Sequence, residues 1–223
     1  MPLPRLELGG RVGDQVFAAI HHAIISGDLP AGTRLRIRDL AGELGTSVMP
    51  VREAIRRLEE MGLAEAQPYR GAVVKEFTHK ELLDLYTVRR LLEVEATVLG
   101  VGRVTDADLT RMKAEWVAME AAVAQGDALD YPARDEDFLV ILYLASGNAV
   151  LVELVRTLWH RCRSYKILGA EQALESGQQA SLLTYQEQLL RAAADGDATT
   201  AGRITAESLD AATERIRASM GNA

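Results

Sequence analysis

The segment TSVMPVREAIRRLEEMGL at residues 46–63 opens with a serine and a proline and continues with arginines one helical turn apart. Ser47 is a natural helix N-cap, and Pro50 then falls in the first turn, where its missing N–H costs little. The first-turn N–H groups lie at the positive end of the helix dipole and suit a phosphate. Arg52 and Arg56 share an outer face, and Arg52 is placed to reach a phosphate or a base edge. Arg57 is expected to pair with Glu53 one turn earlier and to do no more than solvate the helix. Elsewhere, Asp135, Glu136 and Asp137 offer three adjacent carboxylates, but no nucleophile, cofactor loop or paired base stands at a recognisable spacing, so no enzyme is expected. Cys162 lies between Arg161 and Arg163, which could lower its pKa and make it a redox sensor. Adjacent helical residues point apart, however, and a plain structural cysteine is the expectation.

The elements that must hold these residues read off the pattern. Val12, Val16, Phe17, Ile20, Ile24 and Ile25 recur at helical spacing and predict an amphipathic helix over 11–26. A short helix follows from Arg38 to Leu44, with Leu40 and Leu44 inward and Gly45 as its stop. The Ser47 helix comes next, with Val51, Ile55 and Leu58 facing a core, and ends at Gly62. Leu63 to Gln67 and Gly71 to Lys75 alternate and are joined by Pro68-Tyr69-Arg70, a hairpin signal. Helix, turn, helix and hairpin in that order make a winged helix-turn-helix, a shape that presents a helix end to a DNA major groove and a loop to the groove beside it. Beyond Phe77 the sequence predicts helices alone, over 79–101, 105–125, 128–145, 148–169, 178–195 and 198–219, with a break at Gly169. The fold expected is therefore mainly α: a winged helix-turn-helix at 1–77, a short linker near 76–79, and an all-helical bundle at 78–223.

Composition sets bounds on function. Of 223 residues, 48% are hydrophobic and 26% charged, an ordinary core-forming balance. The net charge of −7 is unevenly spread: residues 1–77 hold ten Lys/Arg and ten Asp/Glu, and the remainder holds 15 and 22. A neutral first segment with clustered arginines can bind phosphate locally, whereas the acidic remainder should not touch DNA. Apolar runs such as Phe138 to Ala145 are too short to span a bilayer, and MPLPRLELGG lacks an apolar signal core, so no membrane association and no export are expected. A single cysteine excludes an intrachain disulfide and fits a reducing cytoplasm.

The PVREAI stretch, the following RRLEEMGL and the wing RGAVV closely resemble the GntR family of bacterial transcription regulators, and the helical remainder resembles the FadR-like branch, whose C-terminal part is the FCD ligand-binding domain. The resemblance implies a two-domain, ligand-responsive repressor acting as a homodimer on a short palindrome of double-stranded DNA. It places DNA contacts at Arg38, Ser47, Val48, Met49, Pro50, Arg52, Arg70 and Gly71. Arg70 at the wing would enter the minor groove, and Gly71 would permit close backbone approach. One departure stands out. The family commonly reads Ser-Arg-Thr-Pro before Val-Arg-Glu, and its arginine reads guanine; here Val48 offers only apolar contact, for instance with a thymine methyl.

FCD domains often hold a divalent metal through an Asp, a His one turn later and two further His on later helices. The resemblance matches Asp135 to the acid and Leu139, Gln186 and Ser208 to the three histidine positions, so all three imidazoles are missing. The four histidines present, His21, His22, His79 and His160, are not spaced to rebuild the site, and no metal or other cofactor is expected. Arg89, in YTVRRLLE, matches an arginine that faces the family's pocket. Arg89, Asp135, Gln186 and Ser208 are then the expected effector contacts, bounded by Leu139, and a small organic anion the expected effector. Two alternatives stay open: that Arg89 pairs with Glu93 or Asp135 and no small molecule binds, and that the regulator responds to redox state through Cys162.

Overall fold

The structure, a computed structural model, describes residues 10–67 and 71–220. It divides into two compact units between Glu76 and Phe77. In the first, α1 (Gly10–Ile25) packs on α3 (Val48–Glu60), with α2 (Ile37–Glu43) against the same helix. Three short antiparallel strands, β1 (Arg34–Leu35), β2 (Ala64–Gln67) and β3 (Gly71–Val74), form a sheet in the order β1-β3-β2. The register is Ala64 opposite Val74 and Gln67 opposite Gly71. Val16, Ile20 and Ile24 of α1 and Val51, Ala54, Ile55 and Leu58 of α3 are buried, so the 3.6-residue spacing in the sequence marks the faces that meet. Two expected core residues do not take part: Val12 and Leu44 are exposed, since Val12 lies in the first turn of α1 and Leu44 is the residue at which α2 ends.

The second unit consists, among the described residues, of α4 (His79–Val101), α5 (Asp106–Gln125), α6 (Asp130–Ala145), α7 (Ala149–Glu175), α8 (Ala180–Ala194) and α9 (Ala198–Met220). Helix α4 packs against α6, α7 and α9, and α5 packs against α6 and α8. Thr78 and Thr105 open α4 and α5 with capping boxes, each threonine accepting from the N–H three residues on while that residue's carboxylate accepts in return. Phe77, which the sequence pattern grouped with the first segment, packs here with Leu82, Leu85 and Tyr86, and its N–H donates to the Tyr165 hydroxyl at 3.1 Å.

Gly169 does not break the chain as the sequence suggested. Helix α7 runs through it to Glu175, because one glycine costs a long helix only about 1 kcal/mol. Gly100 has a different reason to be glycine. A Cβ there would run into the Leu142 carbonyl oxygen, and that close approach is what lets α4 and α6 lie together. Gly100→Ala should therefore force the two helices apart and lower the unfolding free energy by about 2–3 kcal/mol, measured by urea denaturation.

Candidate functional site

In the first unit the start of α3 is the most exposed apolar surface. Ser47 occupies the N-cap with extended backbone, φ −82° and ψ 165°, but its hydroxyl makes no capping hydrogen bond. Val48 is 40% exposed and Met49 67%. A hydroxyl, the free first-turn N–H groups and two bare apolar side chains thus face outward together. Arg52 follows on the exposed face, and Arg38 is exposed on α2; neither has an ion pair among the described residues. Their neighbours are committed. Arg56 pairs with Glu60 at 2.7 Å and with Glu53 at 3.9 Å. Arg57 does not pair with Glu53 as expected. It reaches Asp14 of α1 at 2.8 Å, and its guanidinium lies 4.0 Å from the Phe17 ring centre, because this edge of α3 faces α1.

Gly71 opens β3 with φ +77°, a conformation that L side chains rarely adopt, so the wing needs glycine there for its backbone alone. Arg70, with Pro68 and Tyr69, lies outside the described residues.

In the second unit a cavity of about 300 Å³ opens among the helices. Arg89, Asp135, Gln186 and Ser208 all line it, joined by Lys166 and Arg215. A neighbouring lobe of about 50 Å³ is lined by Arg89, Glu93, Asp135, Leu139, Gln186 and Ser208 among others. All five residues expected at an effector site therefore converge, although they come from four helices, α4, α6, α8 and α9.

The electrostatics differ from expectation at Arg89. It is not a free cation. Its Nε donates to Glu93 Oε1 at 2.7 Å, and both residues are buried. Glu93 also accepts from Trp159 Nε1 at 3.0 Å and from the Tyr143 hydroxyl at 3.2 Å. Burial, helped by Glu93, pushes the Tyr143 hydroxyl pKa well above its usual value and keeps its proton in place to donate. Lys166 donates to Asp135 Oδ2 at 3.0 Å and to Glu136 Oε1 at 3.3 Å, and Arg163, which does not line the cavity, pairs with Glu136 at 2.6 Å. Gln186 Nε2 donates to Asp135 Oδ1 at 2.7 Å. That contact fixes the amide's orientation, since the reverse would set oxygen against carboxylate. Gln186 Oε1 is left buried, without a hydrogen-bond partner among the described residues.

The sequence reading passed over Lys166 and named Glu93 only as an alternative partner for Arg89, a pairing that the structure contains. The signal was present. Val155, Trp159, Cys162, Lys166, Ala170 and Ala173 follow one helical stripe, as do Leu82, Tyr86, Arg89, Glu93, Ala96 and Gly100, so both charges lie in the buried line.

Cys162 gives a redox role no support. It is fully buried, which pushes its thiol pKa up, and its sulfur lies 3.6 Å from both Arg89 Nη1 and the Trp159 carbonyl oxygen. The flanking arginines point elsewhere, Arg161 toward the Phe77 ring and Arg163 to Glu136. Nor do the lobe residues suit the divalent ion of the family. The four matched positions supply one carboxylate, an amide, a hydroxyl and a leucine, a poor transition-metal set, and the lobe's other carboxylate, Glu93, is already held by Arg89, which adds a positive charge there.

Residues 12–74 match bacterial regulatory proteins of the gntR family, and residues 84–211 match the FCD domain. The HTH-type transcriptional regulator McbR of Escherichia coli is 30% identical over 66% of this chain and 66% of its own length. The "Probable D-xylose utilization operon transcriptional repressor" of Paenarthrobacter nicotinovorans is 31% identical over 72% of this chain and 66% of its own. The chain thus spans just under two thirds of the length of these two relatives. The solved structure of E. coli McbR/YncC superposes with a TM-score of 0.79 at 26% identity, covering 94% of this chain and 98% of that one.

Glu93 bears on stability directly. Glu93→Ala takes the acceptor from three donors and strands a buried guanidinium, so the unfolding free energy should drop by about 3–5 kcal/mol. The double change Glu93→Leu with Arg89→Met should cost clearly less, because no uncompensated charge remains; denaturant titration of the variants measures both.

Proposed function

Given that this chain belongs to the gntR family of bacterial regulatory proteins and carries an FCD domain, we propose that it is a homodimeric repressor that reads a short palindromic operator and responds to a small organic anion held in its helical unit. The observation that carries the DNA half is the bare tip of α3: an unused Ser47 hydroxyl, exposed Val48 and Met49, and an Arg52 with no ion pair among the described residues. The Ser47 hydroxyl and the first-turn N–H groups hold a phosphate, and Arg38 and Arg52 reach the backbone or a base edge. Val48 and Met49 give this operator an apolar reading at the position where the family places a guanine-reading arginine. Gly71, and Arg70 beside it in the sequence, serve the wing. The repressor sign rests on the relative from P. nicotinovorans and on the family's habit.

The effector half is supported by a cavity of about 300 Å³ with Arg89, Lys166 and Arg215 on its walls and a buried amide oxygen that wants a donor. Because the Nε of Arg89 is held by Glu93, the guanidinium meets a ligand only through its remaining N–H groups. A ligand that prefers one arrangement of the helical unit shifts operator affinity by the same free energy with which the operator shifts its own binding.

Arg52→Ala should weaken operator binding roughly tenfold to a hundredfold and flatten its salt dependence, while leaving thermal stability and ligand binding unchanged. Fluorescence anisotropy on a duplex selected from a random pool reads the first two; selection that enriches no sequence sinks the DNA reading. For the helical unit, calorimetric titration with a panel of organic acids should give saturable heat with at least one member, lost in Gln186→Leu. A panel without heat would remove the anion from the proposal and leave the DNA reading untouched.

A further inference from the structure

Asp135 carries a full charge into the helical unit, where an uncompensated carboxylate is costly. In relatives with an intact histidine set, a dication would lie beside this acid. Here Leu139, Gln186 and Ser208 surround the corresponding lobe with no imidazole among them. The charge is met from another direction. Lys166, its side chain only 11% exposed, reaches from α7 across the larger cavity to Asp135 Oδ2 at 3.0 Å. Burial opposes the ammonium, but the Asp135 and Glu136 carboxylates outweigh it, and the Lys166 pKa is driven above its usual value. An ammonium has three N–H donors, and Asp135 and Glu136 take two of them.

We propose that Lys166 is a tethered cation that replaces the divalent ion at Asp135, so that this cavity works without a metal and offers the ligand an ammonium N–H in its place. The charge part of this statement stands on the Lys166–Asp135 geometry alone; the ligand part rests on the effector reading given above. A dication entering the small lobe would meet Arg89 on its wall and a carboxylate whose charge is already matched. Lys166 therefore excludes the ion and substitutes for it at once.

Metal titrations test this without any effector. One variant of the full chain restores three histidines, Leu139→His, Gln186→His and Ser208→His; a second adds Lys166→Met. After dialysis against chelator, calorimetry with Ni²⁺ should show binding about tenfold or more tighter when Lys166 is gone. Equal affinity with and without Lys166 would overturn the proposal. A single change keeps the test decisive should the restored variants fail to fold. Lys166→Met alone should melt at a lower temperature than the unaltered chain, and millimolar Mn²⁺ should raise that midpoint, with Lys166→Arg and the unaltered chain insensitive to Mn²⁺. Saturable Zn²⁺ or Mn²⁺ binding to the unaltered chain that disappears in Asp135→Asn would defeat the idea outright. So would a Lys166→Met protein that is as stable as its parent and blind to Mn²⁺. A silent organic-acid panel alongside a clear Mn²⁺ response would remove the effector reading and leave the tethered cation standing.

Discussion

The helical unit depends on a carboxylate buried among its helices. Glu93 lies 1% exposed in the middle of α4, and its charge is tolerable only because Arg89, Trp159 and Tyr143 all donate to it. Those three donors sit on α4, α7 and α6, so satisfying one charge fixes how three helices meet. Apolar packing around Met112, Met119, Phe138 and Leu142 supplies most of the burial but little direction. The polar contacts supply direction, because a donor moved by an ångström leaves a buried charge exposed to nothing. The cavity survives beside this network for the same reason. Walls built of paired charges cannot collapse inward without breaking pairs that have no alternative partner.

The first unit answers the opposite demand. Its fully buried residues on α1, α3 and the small sheet are apolar among the described residues, and Arg57 and Arg56 find their partners, Asp14 and Glu60, nearer the surface. Arg52 near the start of α3 and Arg38 on α2 lack such pairing among the described residues. Surface ion pairs contribute little to stability, so leaving two arginines unpaired costs the fold almost nothing. It preserves a local positive field in a segment whose Lys/Arg and Asp/Glu counts cancel.

Most of the architecture was legible in the sequence because apolar periodicity and helix stops are local signals. Val51, Ile55 and Leu58 announced the buried face of α3. The cavity was legible only through resemblance: nothing local in Gln186 or Ser208 says that α8 and α9 bring them to Asp135 on α6. Lys166 went unread because nothing local ties a lysine on α7 to Asp135 on α6, although it lies on a stripe of buried residues one turn apart. Arg57 was misassigned because an i, i+4 pair is visible in sequence and a cross-helix partner such as Asp14 is not. Gly169 shows the limit of reading glycine as punctuation inside a helix long enough to absorb it.

Charge balance also constrains how any ligand would lie. The wall cations Arg89 and Lys166 are already paired with Glu93 and Asp135, and Lys166 also with Glu136, so this part of the wall is neutral before a ligand arrives. An anionic group pushed against that wall would compete with carboxylates already in place, and its desolvation would go largely uncompensated. Gln186 Oε1, by contrast, loses nothing by accepting a hydrogen bond and remains unsatisfied without one. Arg215 lines the same cavity, is itself exposed, and has no pair among the described residues. The polarity of the site therefore runs from a donor-seeking inner end at Gln186 to a cationic outer end at Arg215. A molecule carrying a hydroxyl or amine at one end and an acid at the other satisfies both, and a plain fatty or aromatic acid satisfies only the outer one.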